Sequence, residues 1–250
     1  MVDTLAILAI VGTFLIAGAV KGVIGLGLPT VSLALLTVAI DLPSAMALLL
    51  VPSFVTNLWQ AASGGNAKAI FRRIWPFLLM ATVTVWLGAG ALTRVDLSLL
   101  SALLGALLVV YATVNLAGFC FALTARQEAW VGPLIGSANG ILTGMTGSFV
   151  VPGVMFLQAI GLSRDMLIQA MGMLFTASTL ALAAALQGSA FLTLELGALS
   201  AAALLPALAG MALGQRLRKR LPEQLFRRVF FAALLILGAY IIASAAGGFI

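Results

Sequence analysis

Lys21-Gly22-Val23-Ile24-Gly25-Leu26-Gly27-Leu28-Pro29 interrupts one apolar run just before a second, and Asn139-Gly140-Ile141-Leu142-Thr143-Gly144-Met145-Thr146-Gly147-Ser148 does the same in the other half of the chain. Glycine and proline break helices, and within hydrocarbon a broken helix survives only where protein or a water-filled cavity satisfies its backbone. Paired breaks at matching places in two halves point to a transporter's binding site, where unwound backbone and helix ends hold a solute at mid-membrane depth.

Around the breaks almost everything is apolar. Of 250 residues, 63% are hydrophobic and 8% charged, and mean hydropathy is +1.21, whereas a soluble domain carries about a quarter charged residues. The expected fold is an all-α polytopic membrane protein with no soluble domain, since interruptions between apolar runs reach only about ten residues. The net charge of +6 sits in short loops between apolar segments, not in an aromatic-interleaved patch, so it reads as positive-inside topology and not as nucleic-acid binding. Met1 to Val20 lacks a basic n-region, its first charge being Asp3, and is read as a membrane segment and not a signal peptide. One cysteine, Cys120, and no histidine exclude an intrachain disulfide, a Cys/His metal cluster and any imidazole dyad. Cys120 is expected to be buried and inert, and neither metal nor cofactor is expected.

Ten elements follow from the apolar runs, at 4–20, 24–40, 43–62, 71–92, 97–119, 130–144, 148–160, 164–187, 190–214 and 224–246. Elements one, two, six and seven are short, so each broken pair reads either as two tilted crossings or as a re-entrant hairpin with its tip inside the membrane. Lys68, Arg72 and Arg73 after element three, and Arg216, Arg218, Lys219, Arg220, Arg227 and Arg228 around the last turn, place both loops in the cytoplasm. Asp41, the Arg94/Asp96 turn, the Gln187-Gly188-Ser189 turn and both termini then lie outside, with Arg126, Glu128, Arg164 and Asp165 inside. Trp59, Trp75 and Trp130 near element ends read as interface anchors.

Sliding the chain by about 120 residues sets Gly27 on Gly147, Val31 on Val151, Ile40 on Ile160, Leu42 on Leu162, Met46 on Met166 and Thr56 on Thr176. With a two-residue gap, Lys21-Gly22 meets Asn139-Gly140. Corresponding loops carry opposite charge character, the basic loop after element three matching the uncharged turn after element eight, as an inverted repeat requires. Residues 1–120 form the first repeat and 129–250 the second, about five elements each, with the broken hairpins expected to meet near the membrane centre.

At these residues the chain resembles the TauE/SafE family of sulfite and organosulfonate exporters, whose halves each carry a Gly-rich stretch followed by an apolar run with a Val-Pro step. The second copy here is Gly144-Met145-Thr146-Gly147-Ser148-Phe149-Val150-Val151-Pro152; the first departs from it, with Pro29 earlier and Val31-Ser32 where Val-Pro would fall. Ser53 and Asn57 are similar to the family's polar positions after the first break, and Gly210 to Arg220 to its closing small-residue and basic pattern. The resemblance implies transport of small anions, often sulfur-containing.

The residues themselves suggest how. Lys21 is a cation between apolar stretches and against the first break, which makes it a functional candidate, the alternative being a lysine snorkelling to the cytoplasmic interface. Gly25, Gly27, Gly144 and Gly147 can let backbone amides approach an oxyanion, aided by about half an elementary charge at a helix N-terminus, or can serve close helix packing. Asn139, Thr143, Thr146 and Ser148 add neutral donors, and neither break holds a carboxylate. Ser53, Asn57 and Gln60 on element three, and Gln169, Thr176 and Ser178 on element eight, fall at about helical spacing and either line a polar path or bond helix to helix. The expected substrate-binding set is Lys21, Gly25, Gly27, Ser53, Asn57, Asn139, Gly144, Thr146, Gly147, Ser148 and Gln169. Arg164, Asp165 and Glu195, near helix ends, read as solvated or paired charges.

The function expected is secondary transport, as export or facilitated transport, of a small anion such as sulfite, a short organosulfonate or a carboxylate, by alternating access around the two breaks. An anion channel of the same architecture is the alternative. An enzyme is not expected: the chain has no Gly-x-Ser-x-Gly elbow, no histidine and no close acid pair inside a segment. A purely structural subunit leaves the breaks unexplained. The expected setting is a bacterial inner membrane, with the lipid bilayer and a small anionic substrate as partners. A coupling ion (H+ or Na+) and a homodimer stay open.

Overall fold

The computed structural model describes residues 4–119, 121–187, 191–218 and 222–247. Asp3, Cys120, Gly188, Ser189, Lys219 and Arg220, singled out above, lie outside the described residues. Within them the chain forms eleven α-helices and one 3-10 turn, with no strand: α1 (Thr4–Ile24), α2 (Leu28–Ala39), α3 (Leu42–Ala62), α4 (Ala67–Val83), α5 (Val85–Ala89), the 3-10 turn Gly90–Thr93, α6 (Leu97–Leu116), α7 (Ala125–Thr146), α8 (Gly153–Ala159), α9 (Arg164–Gln187), α10 (Leu194–Arg218) and α11 (Glu223–Ala246). Among the described residues, seven stretches are long and apolar enough to cross a membrane: α1, α3, Ala67–Thr93, α6, α9, α10 and Gln224–Ala246 within α11. The protein is an all-α, multi-pass membrane protein. The partners of the two breaks are short: α2 has 12 residues and α8 has 7, about 18 and 10 Å at helical rise, against a hydrocarbon core of about 30 Å. Neither helix spans alone.

Three boundaries move for identifiable reasons. α1 continues to Ile24, so Lys21 and Gly22 lie in its last turn and the break proper is Gly25 to Gly27. α7 begins at Ala125, five residues before the expected 130, because Thr124 and Gln127 form a capping box: Thr124 Oγ1 accepts from the Gln127 N–H (3.4 Å) and Gln127 Oε1 from the Thr124 N–H (2.9 Å). The fourth element is interrupted at Thr84, whose hydroxyl donates to the carbonyls of Met80 (2.7 Å) and Ser137 (3.0 Å), the latter on α7.

The chain forms two compact units that are not its sequence halves. The first comprises Met1–Pro52, Val95–Phe119 and Phe191–Ile250; the second comprises Ser53–Arg94 and Cys120–Ala190. In the first, α1 packs along α10 and α6 along α11. Apolar helices in lipid gain no hydrophobic drive from meeting, so they associate through close contact of small residues. A side chain on Gly18 would run into the Ala207 carbonyl, and one on Gly22 into that of Met211; Gly210 and Gly214 of α10 face the Leu15 and Ala19 carbonyls in return. Gly105 and Gly238 bring α6 and α11 together in the same reciprocal way, beside an edge-on Tyr111–Phe231 pair with centroids 5.3 Å apart.

Pro52 in α3 has no N–H to give the Leu48 carbonyl four residues back. Ser200 of α10 supplies the missing donor: its hydroxyl donates to Leu48 O (2.8 Å) and accepts from the Val51 N–H (3.0 Å).

In the second unit α7 packs along α4 and α5. Gly136, Gly140 and Gly144 face the backbones of Phe77, Ala81 and Val85, and Gly88 faces the Ile141 carbonyl. Taking α4, α5 and the 3-10 turn together as one element, the first element of each half thus packs on the fourth of the other. α9 packs on the C-terminal part of α3, where Gly172 admits the backbone of Gln60 and Ala61.

The seams predict a paired outcome on one helix. Gly18→Val drives a branched side chain into the Ala207 carbonyl and should destabilise by about 1–3 kcal/mol or more, whereas Gly12→Val, with open space around it, should leave thermal unfolding in detergent nearly unchanged. Equal melting of the two variants would show that the α1–α10 seam does not have this geometry.

Candidate functional site

Each unit carries one break. In the first unit α1 closes with the Gly25 N–H donating to the Lys21 carbonyl (2.8 Å), and Gly25 (φ 79°) and Gly27 (φ 106°) turn the chain into α2. The left-handed conformation at Gly27, the α2 N-cap, excludes side-chain-bearing residues at low cost, and a Cβ there would also meet Val20 and Phe230. Pro29 sits in the first turn of α2, where its missing N–H is harmless. Lys21 is 5% exposed. An ammonium buried in a spanning helix is costly.

In the second unit the break runs from Gly147 to Pro152. Gly147 (φ 72°) ends α7, its N–H donating to the Thr143 carbonyl (2.7 Å). Thr143 Oγ1 then donates to the Ser148 carbonyl (2.9 Å), and the Ser148 N–H donates to Thr146 Oγ1 (3.2 Å), which itself donates to the Leu142 carbonyl (2.7 Å). The Val151–Pro152 peptide is cis. Asn139 closes the hairpin: its Oδ1 accepts from the N–H of Gly153, the first residue of α8, at 2.9 Å. Its Nδ2 has no hydrogen-bond partner although the residue is fully buried. A donor left so costs about 1–3 kcal/mol.

α9 backs this break. Phe175 meets Phe149 with centroids 5.9 Å apart, and Leu174 packs at Gly153. Further along α9, Thr179 shares a hydrogen bond with Ser53 (3.2 Å), and Asn57 Nδ2 donates to Ser53 Oγ (3.0 Å), so α3 and α9 share a buried polar row. Ser178 Oγ, also on α9, is buried without a partner.

The expected binding residues therefore separate. Lys21, Gly25 and Gly27 belong to the first unit; Ser53, Asn57, Asn139, Gly144, Thr146, Gly147, Ser148 and Gln169 belong to the second. Of these, Asn139, Thr146, Gly147 and Ser148 come together at one break. Gly144 lies inside α7 and serves the helix seam. Gln169 holds the α3–α4 turn, its Nε2 donating to the Ala61 carbonyl (2.8 Å) and its Oε1 accepting from the Asn66 N–H (3.1 Å).

Two features escaped the sequence. Arg73 forms a two-pronged ion pair with Glu128 (2.8 and 2.9 Å) and donates to the Ile160 carbonyl at the end of α8 (2.6 Å), tying α4, α7 and α8. Both charges had been read only as loop charges on one side. The hydroxyl of Thr179 was the other; its distance from Ser53, 126 residues, left no local signal.

Among the described residues no three of His, Cys, Asp and Glu gather. At the second break the Thr143 and Thr146 hydroxyls and the Ser148 N–H already donate within the chain, which leaves the Asn139 Nδ2 as a buried side-chain donor without a partner.

A model of the family described as Sulfite exporter TauE/SafE matches residues 10–241. No curated protein and no solved structure matches the chain.

Asn139→Ala removes the acceptor for the Gly153 N–H and leaves that donor buried, so melting in detergent should fall by about 2–8 °C. Unchanged melting would mean that Asn139 does not hold the start of α8.

Proposed function

The chain belongs to the Sulfite exporter TauE/SafE family, and from that premise we propose that it carries a small oxyanion, sulfite or a short organosulfonate or carboxylate, across a bacterial inner membrane by alternating access around its two breaks. The observation that carries this reading is the buried, unpartnered Nδ2 of Asn139 at the second break, a donor whose cost is recovered when an anion oxygen accepts from it. Lys21, buried in the last turn of α1 beside the first break, supplies a positive charge there. Thr146 and Ser148 shape the second break around the ligand, while Gly25, Gly27 and Gly147 keep the backbone open to it. Ser53 and Asn57 form the polar row behind it.

The pairing of first and fourth elements across halves, α1 with α10 and α7 with α4 and α5, supports an inverted repeat, the architecture in which one half rocks against the other around a fixed site. Donors without carboxylates in either break favour an anion over a cation. Export is the direction that the family's description suggests.

Uptake of labelled sulfite, and of a panel of sulfonates and carboxylates, into proteoliposomes tests this. Flux should saturate and be stimulated by unlabelled anion on the opposite side. Lys21→Gln and Asn139→Ala should each reduce it about tenfold or more, the loss of one strong hydrogen bond to an anion, while still eluting as folded protein. Normal flux in folded Lys21→Gln would make that lysine an anchor; large unitary currents in place of saturable exchange would identify a channel.

A further inference from the structure

A serine or threonine inside a helix can satisfy its hydroxyl on the carbonyl four residues back. Two hydroxyls of α9 do so: Thr176 Oγ1 donates to the Gly172 carbonyl (2.7 Å) and Thr179 Oγ1 to that of Phe175 (2.6 Å). Ser178, fully buried in the same helix, does not; its Oγ bonds neither the helix nor any other group. Among the described residues four buried side-chain polar atoms lack a partner: Thr37 Oγ1 and Ser101 Oγ in the first unit, Asn139 Nδ2 and Ser178 Oγ in the second.

Two contacts fix the face of α9 on which Ser178 stands. A side chain at Gly153 would meet both the Asn139 amide and Leu174 Cδ2, so Leu174 borders that amide. Phe175 meets Phe149 of the second break. Ser178 follows these two residues by four and three positions, the spacings that set side chains beside one another on a helix, with about 5–6 Å between Cβ atoms. It is therefore one turn along from the place where α9 borders the Asn139 amide, on the face that backs the break. Thr179, the next residue, bonds instead to Ser53 of α3.

We propose that Ser178 is a second ligand-contacting residue at this break: one oxygen of the bound anion accepts from Asn139 Nδ2 and another oxygen of the same anion accepts from Ser178 Oγ. The inference rests on the transport reading above and adds a rule of selection to it. Two donors about one helical turn apart are satisfied together by an anion with separate oxygens, such as a sulfite, a sulfonate or a carboxylate. A monatomic halide leaves one buried donor open, and a site built of buried donors rejects such a ligand.

Calorimetric titration and thermal melting of the purified protein in detergent, with sulfite, methanesulfonate, acetate and bromide, test the proposal. Wild type should bind an oxyanion at least about tenfold more tightly than bromide. Ser178→Ala should weaken oxyanion binding about tenfold or more. It also removes a buried hydroxyl that has no partner in the ligand-free protein, so ligand-free melting should rise by about 2 °C or more; a hydroxyl with a structural task would move melting the other way. Ser101→Ala, the same change at the unpartnered hydroxyl of α6, should leave affinity unchanged. Unchanged oxyanion affinity or lowered melting in Ser178→Ala, or bromide held as tightly as an oxyanion by wild type, would overturn this proposal and leave the transport reading standing. Wild type that binds none of the oxyanions would overturn both.

Discussion

Hydrocarbon offers no partner to a free N–H or C=O, and each such group left open in it costs several kcal/mol. That constraint accounts for where many polar side chains of this protein are found. The carbonyl of Leu48, orphaned by Pro52, receives the Ser200 hydroxyl. Past the end of α7, the Ser148 carbonyl receives Thr143 and the Gly153 N–H reaches Asn139. At the end of α8 the Ile160 carbonyl receives Arg73. These side chains are the replacements for helical hydrogen bonds that the breaks and kinks remove. Against that background the open Nδ2 of Asn139 is informative, because the same residue already performs a structural task with its Oδ1 and retains a second, undirected donor.

The glycine seams solve the other problem of a membrane interior, association without a hydrophobic effect. Two of these seams lead into a break. Gly18 and Gly22 bind α1 to α10 immediately before Gly25 and Gly27, and Gly136, Gly140 and Gly144 bind α7 to α4 and α5 immediately before Gly147. Helix up to each of these breaks is therefore clamped by backbone contact.

Much of the architecture was legible because hydropathy is a strong signal in a chain so poor in charge. The ten apolar runs correspond to the observed helices, and the boundaries that moved did so through single residues: the capping box of Thr124 and Gln127 extends α7, and the bifurcated Thr84 hydroxyl divides the fourth element. The site was less legible. Gly144 and Gln169 were chosen by residue type and spacing, yet the first meets Val85 and the second the Ala61 carbonyl 108 residues away. Neither partner leaves a mark near the residue it engages. Asn139, by contrast, was visible because it stands beside the break that it closes, and the Arg73–Glu128 pair was not, because each charge alone resembles an ordinary loop residue.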